Sequence, residues 1–434
     1  MRHKYHFLAG LLAFSTVLVI VVATWLPFSK PSPDSLLQAQ EWASSGRISG
    51  TFTPIAYPLL IAPAYRVGGI HGIIALQAAL QITLVAICFF LLLQLGISTR
   101  AAAFGSLPVA LHPDLLASIT RSWDVALSTF LLVFLVLLFL RVQSSGSRLS
   151  VSFVGGIVFA TAVFCRPNCL LIAVALVYAL SSGGKQQHDE TSRPFVTKNR
   201  TARAGIYAFV VFTVSGFSAY ILLGTVGHGS PFFPRNGSYN LFAGNNPFAA
   251  SAFLANLNGE FSINAAYRAC HPELSFSAPS PDFRDPSLNN FYRRSSIDYA
   301  LHHPAAEVKL FGIKLFTFFR PDIRIHHQRF AVNAVKCFLA MPVIIFLILL
   351  ALPGRVPLDR VDRLLLIVYA AYIVPFLLTN SDPRFRIPLD ELFLLHSVRL
   401  LVFRGKVASQ TSHVDCSRIC NEEVLATFSS GMLL

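Results

Sequence analysis

Charge is scarce in this chain. Only 13% of its 434 residues are Asp, Glu, Lys or Arg, against about 25% in an average soluble domain. At roughly 150 residues per domain, the length would otherwise make two or three soluble domains. So few charges cannot cover their surfaces. The scarcity excludes a soluble globular enzyme, a disordered chain and a coiled coil. Acid is scarcer than base: 21 Asp and Glu stand against 35 Lys and Arg, a net charge of +14. A basic balance often marks nucleic-acid binding. Here the basic residues sit in short clusters between apolar runs and form no single basic face. A phospholipid surface or an anionic lipid substrate explains them better, and nucleic acid is not an expected partner.

Familiar chemical motifs are missing too. There is no G-x-x-x-x-G-K-[ST] phosphate loop, no G-x-G-x-x-G, no H-E-x-x-H and no G-x-S-x-G. No D-x-D pair is present to hold a metal-bound nucleotide sugar, so the chain is not built around a soluble nucleotide donor. Cysteine is sparse, at seven residues. Cys88, Cys165, Cys169 and Cys337 lie in or beside apolar runs, where a thiol behaves as a small hydrophobe. Cys270 stands alone in a polar loop. His413, Cys416 and Cys420 form an H-x2-C-x3-C cluster whose loose spacing reads as a polar tail before it reads as zinc ligands. There is no internal repeat and no low-complexity tract.

What is there is hydrocarbon. Hydrophobic residues make up 54% of the chain, and mean hydropathy is +0.59. A helix crossing the bilayer needs about 20 apolar residues. The first such run, Phe7 to Trp25, follows Arg2 and Lys4. It is too long for a signal-peptide core and has a poor cleavage site, so it reads as a retained helix with its N-terminus inside. Further runs lie near 70–95, 101–118, 125–141, 151–165, 168–182, 205–226, 331–353, 364–379 and 388–404. The expected fold is therefore an all-α polytopic membrane protein with about ten transmembrane helices, one or two of them broken at Pro or Gly. Asp390, Glu391, His396 and Arg399 interrupt the last run.

With the N-terminus inside, each expected inner segment carries Lys or Arg: near Arg100, Arg141 to Arg148, Lys185 to Arg203, Arg355 to Arg363, and Arg404 to Lys406. This is the positive-inside pattern. Two outer loops are then long, 28–69 and 227–330, and loops of that length are expected to contain short helices. Ile55 to Val67 fits an interfacial segment broken by Pro58 and Pro63. Val308 to Phe319 fits an interfacial helix with Lys309 and Lys314 reaching outward. Residues 1–405 read as one membrane domain and 406–434 as a cytoplasmic tail.

Charged residues at the membrane edge are costly, so they are the candidates for function. Asp34 follows the first span and precedes a helical stretch, Ser35 to Ser45, which Asp34 or Ser35 would cap. It also suits a general base at the membrane surface. Arg121 and Asp124 are three residues apart and suit an i,i+3 helix pair or a site. Arg384 and Arg386 suit either a phosphate held by forked hydrogen bonds or headgroup contact at a helix end.

The stretch from Asp34 through Gly46 to Tyr57-Pro58 resembles the first outer loop of the membrane glycosyltransferases of the GT-C superfamily. The likeness is to the aminoarabinose transferase, protein mannosyltransferase and lipopolysaccharide-core transferase group. In that loop an Asp follows the first helix, then comes a short helix ending in Gly, then a Tyr-Pro element. Arg121-Ser-Trp-Asp124, Arg166-Pro-Asn168, Gly244-Asn-Asn-Pro247, His303-Pro304 with Lys309 and Lys314, and Arg384-Phe-Arg-Ile-Pro388 resemble later elements of the same group, in order over residues 1–405. The sequence departs from the pattern at Asp390-Glu391, where relatives stay apolar, and after Arg404.

The resemblance implies an inverting transfer of a sugar from a polyprenyl-phosphate donor to a lipid, glycan or protein acceptor on the outer membrane face. It implies Asp34 as catalytic base and Arg384 and Arg386 at the donor phosphate. Arg121, Asp124, Tyr57, Asn245 and Lys309 follow as substrate-binding residues. The setting implied is a bacterial inner membrane, with membrane lipid as a further partner. No cofactor is fixed by the pattern and no metal ligand is assigned, although His302 with His303, or His326 with His327, leaves room for a divalent ion. Two alternatives share the composition: a polymerase or ligase of lipid-linked glycans, and a transporter. The first outer loop of about 40 residues argues against the former. The gathering of charges at the outer edge, away from the midplane, argues against the latter.

Overall fold

The computed structural model describes residues 2–26, 33–47, 54–121, 124–144, 148–182, 195–228, 237–255, 259–270, 286–320, 343–351, 359–381 and 383–403. Among these residues every regular element is helical. In chain order the helices are α1 (Arg2–Trp25), α2 (Pro33–Ser45), α3 (Ala56–Gln94), α4 (Thr99–Ala110), α5 (Pro113–Ile119), α6 (Val125–Ser144) and α7 (Arg148–Cys165). A 3-10 turn, Pro167–Ile172, leads into α8 (Ala173–Ser182), and α9 (Phe195–His228) follows. Then come α10 (Gly237–Gly244), α11 (Ala249–Leu254), α12 (Gly259–Cys270), α13 (Pro286–His302) and α14 (Pro304–Phe319). The last are α15 (343–351), α16 (Arg360–Leu378), a 3-10 turn Pro383–Arg386, and α17 (387–403).

The surface is inverted relative to a soluble protein. Phe14, Val17 and Ile20 on α1, Val210, Val211 and Val214 on α9, and Ile344, Ile345 and Ile348 on α15 are exposed. Arg166, Lys314, Asp362, Arg386, Asp390, Glu391 and Arg399 are buried. Water would not tolerate that exterior, and hydrocarbon would. Four helical stretches are long and apolar enough to cross a membrane: Tyr5–Trp25, Ala56–Gln94, Gly205–Leu223 and Arg360–Leu378. They mark a multi-pass membrane protein.

The expected count of about ten is not reached among the described residues. A fifth span exists if α4 and α5, bent by 60° at His112-Pro113, cross together. Three further expected spans appear as shorter apolar helices, Val125–Arg141, Leu149–Cys165 and Pro167–Ala179; of the expected span 331–353 only 343–351 lies within the described residues, and 388–404 appears as α17. Proline is the physical reason for two of the breaks. It removes a backbone donor and drives the residue before it into extended conformation. His112 and Arg166 both have extended backbone, and each precedes a proline that starts the next helix.

α3 is a helical hairpin, although its hydrogen-bonded run looks continuous. Gly69 has φ 57° and ψ −138°, a conformation that an L side chain resists. Tyr57 and Gln77 would lie about 30 Å apart on a straight helix at 1.5 Å per residue. Instead the Tyr57 hydroxyl donates to Gln77 Oε1 at 3.3 Å. The chain therefore doubles back at Gly69, and 70–94 is the spanning arm. This matches the expected division between Ile55–Val67 and the run starting near 70. α2 packs on the first arm, where Gln40 Nε2 donates to the Tyr65 hydroxyl at 3.1 Å.

Both long loops hold helices where they are described, α2 in the first and α10 to α14 in the second. Lys309 is exposed as expected, but Lys314 is buried at 1% exposure. The reason is helical period: α14 turns Leu310, Lys314, Thr317 and Phe318 inward together. α16 and α17 run antiparallel, since Tyr369 meets Leu392 and Phe393 while Asp362 meets His396 and Arg399. The four charged or polar residues that interrupt the last run do not break α17. Asp390, Glu391, His396 and Arg399 all face inward.

Candidate active site

Polar side chains gather at two ends of the α16–α17 pair. The first end is built on α6, α7 and α16. Asp124 immediately precedes α6, and its carbonyl accepts the Ser128 amide at 2.8 Å. A carboxylate there is favoured by the helix N-terminus. Arg166 ends α7, its amide bonding to the Ala162 carbonyl at 2.7 Å. Arg166 Nε donates to Asp124 Oδ2 at 2.8 Å and Nη2 to Oδ1 at 3.2 Å. Its Nη1 donates to the Tyr372 hydroxyl at 3.2 Å. Such a forked pair fixes both partners. The Asp124 side chain keeps 32% exposure while that of Arg166 keeps 11%, so the carboxylate is the accessible member. Tyr57 is buried within electrostatic reach of Asp124. The Phe385 ring centroid lies 6.0 Å from the Arg166 guanidinium carbon.

This differs from the pairing expected of Arg121 and Asp124. The two do not share a helix turn: Arg121 closes the turn after α5, and α6 starts at Val125. Arg121 is exposed, and Asp124 is matched to Arg166 instead.

Asn245 links the α10 end to α14 and α16. Its Nδ2 donates to the Leu241 carbonyl at 2.7 Å and the Leu378 carbonyl at 3.0 Å. Its Oδ1 accepts from Lys314 Nζ at 2.7 Å. Ser381 Oγ donates to the Lys314 carbonyl at 2.9 Å. The preceding Gly244 is required by contact, because a Cβ there would lie 1.6 Å from the Thr379 carbonyl oxygen. So the Gly-Asn-Asn-Pro element is more than a turn. Burial pushes the Lys314 ammonium down from 10.5 to about 8, with Glu307 opposing the shift.

Arg386 is buried in a different role from a solvent-facing fork. Its Nη1 donates to the carbonyls of Phe318, Phe319 and Arg320, the last turn and C-cap of α14. Its Nε donates to Asp390 Oδ1 at 2.7 Å. It thus ties α14 to α17, and its charge stands at the same end as Arg166. The Arg384 side chain lies outside the described residues.

Asp34 falls in the first turn of α2, which starts at Pro33, so neither Asp34 nor Ser35 is the cap that was expected. The Asp34 side chain lies outside the described residues. One turn on, at i+4, Gln38 is buried with both amide atoms lacking a hydrogen-bond partner. Other such groups are His112, whose two ring nitrogens have none, and Glu391, whose two oxygens have none. His112 Nε2 lies 3.9 Å from Glu391 Oε1. Buried polar atoms are rarely left unmatched, so each is a candidate for binding something.

No family model and no curated protein matches the chain. The sequence reading gave no role to Gln38, His112 or Tyr372, turned Lys314 outward, and took Glu391 only as an interruption of the last run. Their signal was present: polar or charged residues within or beside apolar runs. Lys309 is exposed beside Val308 on α14. Among the described residues no three His, Cys, Asp or Glu side chains come together to hold a metal. His326, His327, His413, Cys416 and Cys420 lie outside the described residues. His302 and His303 are exposed, and His302 Nδ1 lies 3.1 Å from Asp298 Oδ1.

The second end is built on α3, α16 and α17. Asp359 caps α16, accepting from the amides of Val361 and Asp362 at 2.8 and 3.0 Å. Arg399 Nε donates to Asp362 Oδ1 at 2.9 Å, Nη1 to the Leu95 carbonyl at 2.8 Å, and Nη2 to Asp359 Oδ2. His396 bridges Asp362 and the Tyr369 hydroxyl at 3.1 and 3.2 Å.

Proposed function

We propose that the chain is a membrane glycosyltransferase that moves a sugar from a polyprenyl-phosphate donor to a lipid, glycan or protein acceptor on the outer face. The observation that supports it is a set of buried polar groups in an apolar helix bundle: Asp124 with Arg166 and Tyr372, Lys314 with Asn245, and Arg386 with Asp390. The first arm of α3 brings Tyr57 toward Asp124, and α2, carrying Asp34, packs on that arm.

In this reading Asp34 takes the proton of the acceptor hydroxyl. The acceptor oxygen then bonds to the sugar's anomeric carbon as the bond to the donor phosphate oxygen breaks, with inversion. The phosphate leaves as an anion and needs positive charge in a low-dielectric setting. Arg384 and Arg386 supply it, the latter with its Nε and Nη1 already bonded to Asp390 and to the end of α14. Asp124, steadied by Arg166, and Tyr57 orient the acceptor. Asn245 and Lys309 complete the binding residues, with Arg121 at the rim.

About ten spans, with the N-terminus and the tail after residue 405 in the cytoplasm of a bacterial inner membrane, fit the distribution of Lys and Arg.

The test is transfer of radiolabelled sugar from a panel of polyprenyl-phosphate donors in membranes. Asp34→Asn should lower transfer by about 10²–10⁴-fold with unchanged melting. Near-wild-type turnover in that variant removes Asp34 as base. No transfer by folded wild type from any donor removes the reading itself.

A further inference from the structure

Two ionisable side chains meet deep between the polar ends of the α16–α17 pair. His112 stands at the bend between α4 and α5, its backbone extended before Pro113. Glu391 stands near the start of α17. His112 Nε2 and Glu391 Oε1 are 3.9 Å apart, and the two residues are 6% and 1% exposed. Glu391 lies between Arg386 and Arg399 in sequence, about 12 Å from the latter along the helix. A hydrocarbon core is about 30 Å thick, so the pair sits well inside it.

Neither member is matched. Both ring nitrogens of His112 and both carboxyl oxygens of Glu391 lack a hydrogen-bond partner. Their separation is too long for a bond. A further unmatched atom belongs to Gln81 on α3. Gln81 Nε2 donates to the Val109 carbonyl at 3.0 Å, the same carbonyl that accepts the His112 amide at 3.4 Å, and Gln81 Oε1 has no partner. The walls are close around them. A Cβ on Gly105 of α4 would lie 2.9 Å from Leu92 of α3 and 3.3 Å from Val398 of α17.

The charges that face the pair do not complete it. Arg386 is within electrostatic reach of His112, but its Nε is bonded to Asp390 Oδ1. Asp390 acts on Glu391, Asp114 of α5 acts on Asp390, and the Cys88 thiol of α3 is within reach of Glu391. α1, packed on α4 and α5, carries no titratable side chain after His6. α6, packed on α5, carries only Arg141, in its last turn. An ionised Glu391 facing a neutral imidazole would leave a net negative charge in hydrocarbon surroundings, which is strongly disfavoured. A metal ion would need more ligands, and among the described residues no three His, Cys, Asp or Glu side chains come together. A proton needs only the two groups present. An imidazole nitrogen about 1 Å beyond bonding distance is placed to accept the resulting O–H, directly or through one water.

We propose that Glu391 and His112 form a proton-binding site inside the membrane bundle, with Glu391 carrying the proton and His112 accepting its hydrogen bond. The proton comes from water and returns to it. Binding converts a carboxylate beside a neutral imidazole into a neutral acid–imidazole pair, and nothing is oxidised or reduced. The site goes beyond the sugar-transfer reading and does not depend on it.

The experiment records infrared difference spectra of the purified full chain, in an uncharged detergent, between about pH 4 and 10. Wild type should keep a carboxylic-acid carbonyl band above about pH 6, where exposed Asp and Glu are ionised. That band should be missing from Glu391→Gln. His112→Leu should move its midpoint down by about one pH unit, the tenfold loss expected from one hydrogen bond. Replacing sodium with choline should leave the midpoint unmoved. Melting gives a second reading that needs no band. Glu391→Gln mimics the protonated acid, so it should melt at or above wild type, by a margin that widens as the pH rises.

Identical bands in wild type and Glu391→Gln overturn the site, as does a melting margin that ignores pH. That comparison decides the site even if His112→Leu does not fold. An unmoved midpoint in His112→Leu removes His112 as the partner. An upward shift overturns the neutral acid, because an imidazolium would then have been matching a carboxylate. A midpoint that follows sodium overturns the proton in favour of a metal cation. A titrating Glu391 in a protein that transfers no sugar defeats the glycosyltransferase and keeps the site.

Discussion

The two polar ends of the α16–α17 pair are built from similar side chains and finished differently. At the Arg399 end, Asp359, Asp362, His396, Tyr369 and Arg399 each have a partner, and the Leu95 carbonyl is met as well. At the Arg166 end the Asp124–Arg166 fork is equally tight. Toward that end, however, Thr317 and Asn380 keep buried side-chain oxygens with no hydrogen-bond partner, and His112 and Glu391 meet only each other, at 3.9 Å. A satisfied buried network rigidifies a fold, and an unsatisfied one is costly until something binds. The contrast marks the Arg399 end as a structural network and leaves the Arg166 end as the candidate site.

The strongest challenge to that division is Arg399→Met. It takes the guanidinium from Asp359, Asp362 and the Leu95 carbonyl, leaving Asp362 only His396 and the Asp359 amide, and should cost about 3–5 kcal/mol of stability, read as melting in detergent. A melting point close to wild type would make the two ends equivalent. Next comes a pH effect at Lys314. Its folded value of about 8 lies below the ordinary 10.5. Between those values the unfolded chain binds more protons, so stability should rise with pH from about 8 to 10.5 and stay penalised below 8. The rise should be on the order of 2–3 kcal/mol and vanish in Lys314→Met, as denaturation at pH 7.5 and 10.5 would show. Loss of the rise in wild type would mean that the ammonium is already compensated.

Gln38→Met has the opposite sign from Arg399→Met. Removing an unmatched amide should stabilise the fold by about 1–2 kcal/mol while sugar transfer falls. Destabilisation there would show that Gln38 is a structural group like those at the other end. The smallest expected effect is Ser381→Ala, about 1 kcal/mol, since it removes one hydrogen bond to the Lys314 carbonyl. A loss several times larger would sharpen the picture by making the segment after α16 the keystone of the Asn245 cluster.

The helices were legible because hydrocarbon length and period are local properties. The break at Pro167 and the division of α3 near Gly69 were legible for the same reason, whereas 101–118 read as one run and its bend at Pro113 appears only in the structure. The partnerships were not. Asp124 and Arg166 are 42 residues apart, and Lys314 and Asn245 are 69 apart. Nothing in either local sequence records such a distant match. Lys309 and Lys314 looked alike in the sequence. Only the packing of α14 shows that one faces out and the other in. Arg386 looked like a phosphate fork, and its binding to the end of α14 depends on where a separate helix stops.

The bond from Arg399 to the Leu95 carbonyl spans 304 positions of sequence. At about 5–20 residues per second, a ribosome delivers the two partners roughly 15–60 s apart. For that interval the Leu95 carbonyl waits inside a growing assembly without its donor, whereas Asp362, 37 positions before Arg399, waits only about 2–7 s. The chain is therefore most vulnerable to surveillance during its own synthesis, and α17 acts as the closing stitch that ends the vulnerable period.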